Sequence, residues 1–187
     1  MTTVSELESI PVENGVDVIL LILFAGGSKK AENEEIEGNT RLVKLLFILE
    51  QETDFKKYLN DFIYEPYNFG PYSSEVFDAI EALINAGLVE ANKSSSEGYL
   101  DEVDRFQIES QSGENVDNQK NTVIYSLTEE GRRVASALFQ NLNQQERDEL
   151  TMIKRKFNSI NLRKLLQYVY RKYPKYTTES VIKDYVY

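Results

Sequence analysis

The chain has 187 residues, 41% of them hydrophobic and 28% charged, with a net charge of −10, enough apolar side chains to bury a core in one domain with an extension. It contains no cysteine and no histidine. That excludes disulfides, thiolate or imidazole metal sites, Ser-His-Asp and Cys-His nucleophile systems and an imidazole proton shuttle.

Catalysis would have to rest on carboxylates, Lys, Tyr or Ser, and no Gly-rich phosphate loop or strand-linked nucleophile motif is present. The expectation is a non-enzymatic protein with no cofactor and no metal. Its longest apolar run, Val16–Ala25, is shorter than the ~20 residues a bilayer needs. The acidic stretch before that run is unlike a signal peptide, so a cytoplasmic protein without membrane contact is expected. Charge is split along the chain. Residues 151–187 hold nine Lys/Arg against Glu179 and Asp184, whereas residues 1–150 hold twelve against twenty-nine Asp/Glu. Such a split suggests distinct partners for the two parts, or one end docking on the other.

In chain order, residues 1–15 read as a flexible, frayed N-terminus. Val16–Ala25 predicts a buried helix stopped by Gly26-Gly27, and Ser28–Gly38 a solvated acidic loop. Asn39 or Thr40 is placed to cap a central helix whose core stripe is Leu42, Leu45, Leu46 and Leu49. Phe62–Tyr67 reads as extended and Gly70-Pro71 as a turn. Ser73 or Ser74 then caps a third helix with Val76, Ile80, Leu83 and Ile84 inward, ended by Gly87. Leu88–Lys93 predicts a strand. Phe106 and Ile108, and again Val123, Tyr125 and Leu127, alternate like hairpin strands around a polar tip at Gln111–Asn121. Thr128 caps the next helix, and Asn143 to Glu146 form a capping box for another. Leu162, Leu165, Leu166, Val169 and Tyr173 stripe a further helix ended by Pro174, and Thr177 caps a last short one.

This order resembles a winged helix-turn-helix, with Ser126–Gly131 like the end of the wing. The expected fold is mainly α with a small antiparallel β wing (α+β): a winged helix over 16–141 with an insertion at 94–121, and a basic helical extension over 142–187. More narrowly, Arg41–Leu49, Tyr67–Ser73, Ala82–Val89 and Tyr125–Gly131 resemble the YwgA-like, phage-associated family of bacteria and archaea. That family typically shows a helix with Lys-Leu, then Tyr-Gly-Pro-Tyr-Ser, Gly-Leu-Val and a wing ending in Leu-Thr-Glu-Gly. Phe69 departs from the usual Tyr or Trp. The resemblance implies the fold and a regulatory or defence-related context, and no known substrate.

A winged helix reads DNA with its third helix, whose predicted outward positions here are Glu75, Asp78, Glu81, Ala82 and Asn85. None is basic, and carboxylates there would be repelled by a duplex. The basic C-terminal set offers an anion surface instead: Lys154, Arg155, Lys156, Lys164, Arg171, Lys172 and Lys175, extended by Arg132 and Arg133. That face serves either nucleic acid or docking on the acidic body of its own or a neighbouring chain. Gly70, Pro71, Tyr72 and Ser73 read as a shaped turn and helix cap, while Tyr64, Tyr67, Phe69 and Tyr72 are placed either to line an aromatic pocket or to pack as core. The leading expectation is a winged-helix transcription regulator contacting DNA through its basic C-terminal helices. The alternative is a protein-interaction module, in a defence or toxin–antitoxin setting, that uses its acidic face. A protein partner or a homodimer fits either reading.

Overall fold

The computed structural model of the chain describes residues 10–94 and 122–186. Residues 1–9 of the expected frayed start at 1–15, the alternation at Phe106 and Ile108 and the polar tip at 111–121 lie outside them. Helix α1 spans Gly15–Phe24, and a capping box opens it: Asn14 Oδ1 accepts from the backbone N–H of Val16 and Asp17 while the Asp17 carboxylate accepts from that of Asn14. Val18–Phe24 are all buried, as expected of a helix apolar on every side. Gly26 is obligatory at its end, because a Cβ there would collide with Ala31 O.

Ser28–Gly38 departs from the solvated loop. Ile36–Glu37 form strand β1, and Glu34 is buried, its Oε2 accepting from the N–H groups of Lys29 and Lys30 at 2.7 and 3.0 Å. Helix α2, Asn39–Glu52, follows with Leu42–Leu49 buried without interruption. Its N-cap is Gly38, at φ 93°, so neither Asn39 nor Thr40 caps it; Asn39 Oδ1 instead accepts from Tyr125 Oη at 2.6 Å. A 3-10 turn over Asp54–Tyr58 leads to a hairpin of β2, Glu65–Tyr67, and β3, Gly70–Tyr72. The expected turn at Gly70-Pro71 is therefore displaced: these residues are strand, and the turn lies at Asn68-Phe69.

Helix α3, Ser74–Asn85, buries Val76, Ala79, Ile80 and Leu83 and ends through Gly87 at φ 71°. Strands β4, Val89–Ser94, and β5, Thr122–Leu127, pair antiparallel from Val89↔Leu127 to Ser94↔Thr122. β5 pairs on its other side with β1 through Ile36↔Tyr125, giving the order β1-β5-β4. Thr128 caps α4, Glu129–Asn141, by accepting from Gly131 N, and Asn143 and Glu146 make the expected capping box on α5, Gln144–Asn158.

Helix α6, Leu162–Lys172, lies with α5 against α2, and both feed the core that holds α1–α3. Phe47 of α2 meets the rings of Tyr64, Tyr173 and Tyr176 at 5.0–5.1 Å between centroids. Arg41, also on α2, donates through Nη1 to Phe157 O and Ile160 O at 2.8 Å each, meeting carbonyls at the end of α5. The C-terminus differs from expectation. Pro174–Tyr176 form a 3-10 turn, Thr177 is buried with Oγ1 donating to Pro174 O, and helix α7 is confined to Lys183–Val186. The described residues form a mixed α+β architecture with two small antiparallel sheets.

Candidate functional site

Helix α5 turns Leu150, Ile153 and Phe157 inward, and the same face takes Lys154 at i+4 from Leu150. Lys154 is 0% exposed, its ammonium donating to Ile22 O and Glu34 O at 2.6 Å each. Burial draws its pKa down to about 7, against the pull of Glu34 and Glu35. Lys154 therefore leaves the expected anion surface and becomes a buried brace between α5, α1 and the segment before β1. Glu34, which burial alone would push up, is held below the usual carboxylate range by Asn158, the two backbone N–H groups and the charge of Lys154.

The remaining predicted cations, Arg155, Lys156, Lys164, Arg171, Lys172, Lys175, Arg132 and Arg133, are all exposed. Their surroundings differ. Arg133 is tied to Glu129 and Glu130 of its own helix, at 2.6 and 3.2 Å. Lys172 meets Glu52 at 2.9 Å and donates to Tyr168 Oη at 3.0 Å; these two contacts hold its pKa above the ordinary lysine value. Glu52 accepts from the hydroxyls of Tyr168 and Tyr173 as well.

Arg155, Lys156, Lys164, Arg171 and Lys175 have no carboxylate within ion-pairing distance among the described residues. Helical periodicity puts Lys164, Tyr168, Arg171 and Lys172 on one side of α6. Tyr168 joins this side to α5: Lys156 Nζ lies 4.9 Å and Lys172 Nζ 5.3 Å from its ring centroid, and the ring contacts Phe157 at 4.7 Å. The arrangement presents exposed cations beside an aromatic ring, the chemistry that holds phosphates and stacks bases.

The outward face of α3 is the opposite. Asp78, Glu81, Ala82 and Asn85 are exposed, as is Glu90 of β4, while Glu75 is half-buried and accepts from Ser73 Oγ at 2.7 Å. Ser73 occupies the N-cap position of α3 in extended backbone, yet its hydroxyl accepts no capping bond and instead donates to Glu75. Gly70, at φ 86°, lies against the ring of Tyr170, where a Cβ would come within 2.9 Å of Cε1. Of the aromatic group, Tyr64 packs on Phe47, while Tyr67, Phe69 and Tyr72 line a cavity.

Lys44 was not among the expected site residues. It lies in the unbroken run Leu42–Leu49, 3% exposed, and its Nζ donates to Pro71 O at 2.8 Å. The signal was there: a lone cation inside eight residues of helix with no polar face must be buried. Among the described residues, no group of three or more potential metal ligands comes together, and no helix is long and apolar enough to cross a membrane. No family model, curated protein or solved structure matches this chain.

Proposed function

We propose that the chain is a winged helix carrying a basic C-terminal helical pair, and that this pair, rather than the third helix, holds nucleic acid in a regulatory, non-catalytic role. The observation that carries the reading is the set of solvent-facing cations Arg155, Lys156, Lys164, Arg171 and Lys175 on and beside α5–α6, with Lys156 over the Tyr168 ring, set against an α3 whose exposed face has only Asp78 and Glu81 as charges. The strand order β1-β5-β4, with α1 before β1 and α2 and α3 between β1 and β4 in sequence, supports the winged-helix assignment.

The likeness to the YwgA-like family belongs to the same reading. Its support is that the resembling blocks bond to one another. Lys44 Nζ donates to Pro71 O, Thr128 Oγ1 donates to Gly87 O at 2.7 Å, and Gly131 packs so closely on Leu88 O that no side chain fits. A second reading, a protein partner seated on α3 and β4, is favoured by the exposure of Asp78, Glu81, Asn85 and Glu90.

Titration of a labelled random-sequence duplex at low and raised salt separates them. The nucleic-acid reading expects binding at low salt whose affinity falls steeply with salt and drops in a Lys156→Ala, Lys164→Ala, Arg171→Ala variant. Absence of binding at low salt, or binding indifferent to the three changes, overturns it.

A further inference from the structure

The hairpin β2–β3, the start of α2 and the first turns of α3 enclose a cavity of about 350 Å³. That volume is at the small end of ligand pockets. Lys44 is the one charged residue lining it among the described residues. Pro71 O is the one acceptor its ammonium reaches among the described residues, and no carboxylate pairs with it. An ammonium has three donor hydrogens, and burying it without a counter-charge is unfavourable. Two of its donors thus find no acceptor among the described residues, and burial without a counter-charge draws its pKa down to about 7, so an anion beside it would favour the charged form.

The opposite requirement is met by rings. Tyr72 lies 5.4 Å from Phe77 at an interplanar angle of 25° and 4.9 Å from Tyr67 at 38°, and all three line the cavity. Such a shelf takes a planar group by stacking. Asn39 and Asn68 line it too. The Asn39 oxygen is already engaged by Tyr125 Oη, which leaves its amide nitrogen to donate.

We propose that this cavity binds a small planar organic anion: an aromatic or heteroaromatic ring laid on the Tyr67–Tyr72–Phe77 shelf, with its single carboxylate or phosphate set on Lys44. The site is formed by residues 39–44 and 67–77 and includes none of the C-terminal cations; the chain after α6 packs on the same hairpin, Val181 N donating to Asn68 O at 3.1 Å, so the shift map is what separates this proposal from the nucleic-acid reading.

The test titrates the ¹⁵N-labelled chain with two probe classes, nucleoside 5′-monophosphates and simple aromatic carboxylates, with the parent nucleosides and aromatic amides as neutral controls. The expected result is saturable amide shifts confined to residues 39–44 and 67–77 for one anionic class, with its neutral counterpart about tenfold weaker. The class that binds identifies the anion. A Lys44→Met variant, near in volume and uncharged, is expected to weaken binding by about tenfold. No saturable shift from either class overturns the proposal. So do shifts lying along residues 155–175, equal affinity for the neutral controls, or undiminished binding by a folded Lys44→Met chain. Should that variant fail to fold, the wild-type shift map and the neutral controls decide the matter alone.

Discussion

The acidic body and the basic C-terminal pair each bury one lysine, and they treat it differently. In the pair, Lys154 finds two carbonyls and the field of Glu34 and Glu35. In the body, Lys44 finds one carbonyl and a cavity. The outward faces differ as well: Asp78 and Glu81 on α3, Arg155, Lys156, Lys164 and Arg171 on α5–α6. Residue type alone therefore does not say what a cation does here. Its position on the helical face decides between brace, ligand group and surface charge.

The sharpest way to break that distinction is inside the basic run. Lys154→Ala strips the donor from two carbonyls and leaves Glu34 without its nearest buried cation, and is expected to cost about 3–5 kcal/mol in denaturant unfolding. Lys156→Ala, two residues on and exposed, is expected to stay within about 0.5 kcal/mol. Equal costs would mean that the inward and outward lysines are wrongly assigned.

Next in size is the effect on nucleic acid. Removing Lys156, Lys164 and Arg171 together is expected to lower duplex affinity at low salt on the order of a hundredfold and to flatten the salt dependence by roughly three phosphate contacts. Changing Asp78 and Glu81 to Lys, on the other face, is expected to leave that triple variant's loss unrepaired. Recovery of binding through α3 would move the interface there.

A pH series distinguishes the two buried lysines from the exposed ones. Burial pulls Lys44 down to about 7 in the folded chain, whereas unfolding returns it to the ordinary lysine value near 10.5. Between these values the unfolded state binds more protons, so this group makes stability rise with pH above about 7. Lys154 contributes in the same direction. Lys44→Met is expected to remove its share, flattening the rise by at most about 1.4 kcal/mol per pH unit. The comparison is made below the range where buried tyrosines such as Tyr64, pushed well above the usual value, begin to matter. An unchanged slope would show that Lys44 keeps its charge. The smallest effect is local: Thr128→Ala, which removes the cap that joins Gly87 O to Gly131 N, is expected to cost about 1 kcal/mol.

Much of this architecture was legible because its signals are local. The caps at Thr128 and Asn143, the stop at Gly87 and the stripes of α3 and α6 depend on residues a few positions apart. Lys154 was assigned to the surface by its charge, although Leu150, Ile153, Lys154 and Phe157 follow the i, i+3, i+4, i+7 pattern of an inward face. β1 was not legible. Ile36–Glu37 become a strand only through pairing with β5, nearly ninety residues on. The acidic run around Glu34 looked solvated for the same reason: what buries it is Asn158 and Lys154, from the far end of the chain. Gly70-Pro71 read as a turn because their chemistry suits one, yet pairing with β2 and the ring of Tyr170 place them in a strand. The cavity beside Lys44 depends on which rings meet across three elements, and no spacing in one segment encodes that.

The measurement that tests the central claim most directly is an amide shift map of the labelled chain titrated with a short random-sequence duplex. The account predicts perturbations along residues 155–175, centred on Lys156, Lys164 and Arg171, with α3 and β4 undisturbed. Perturbations concentrated on residues 74–94 instead would contradict it.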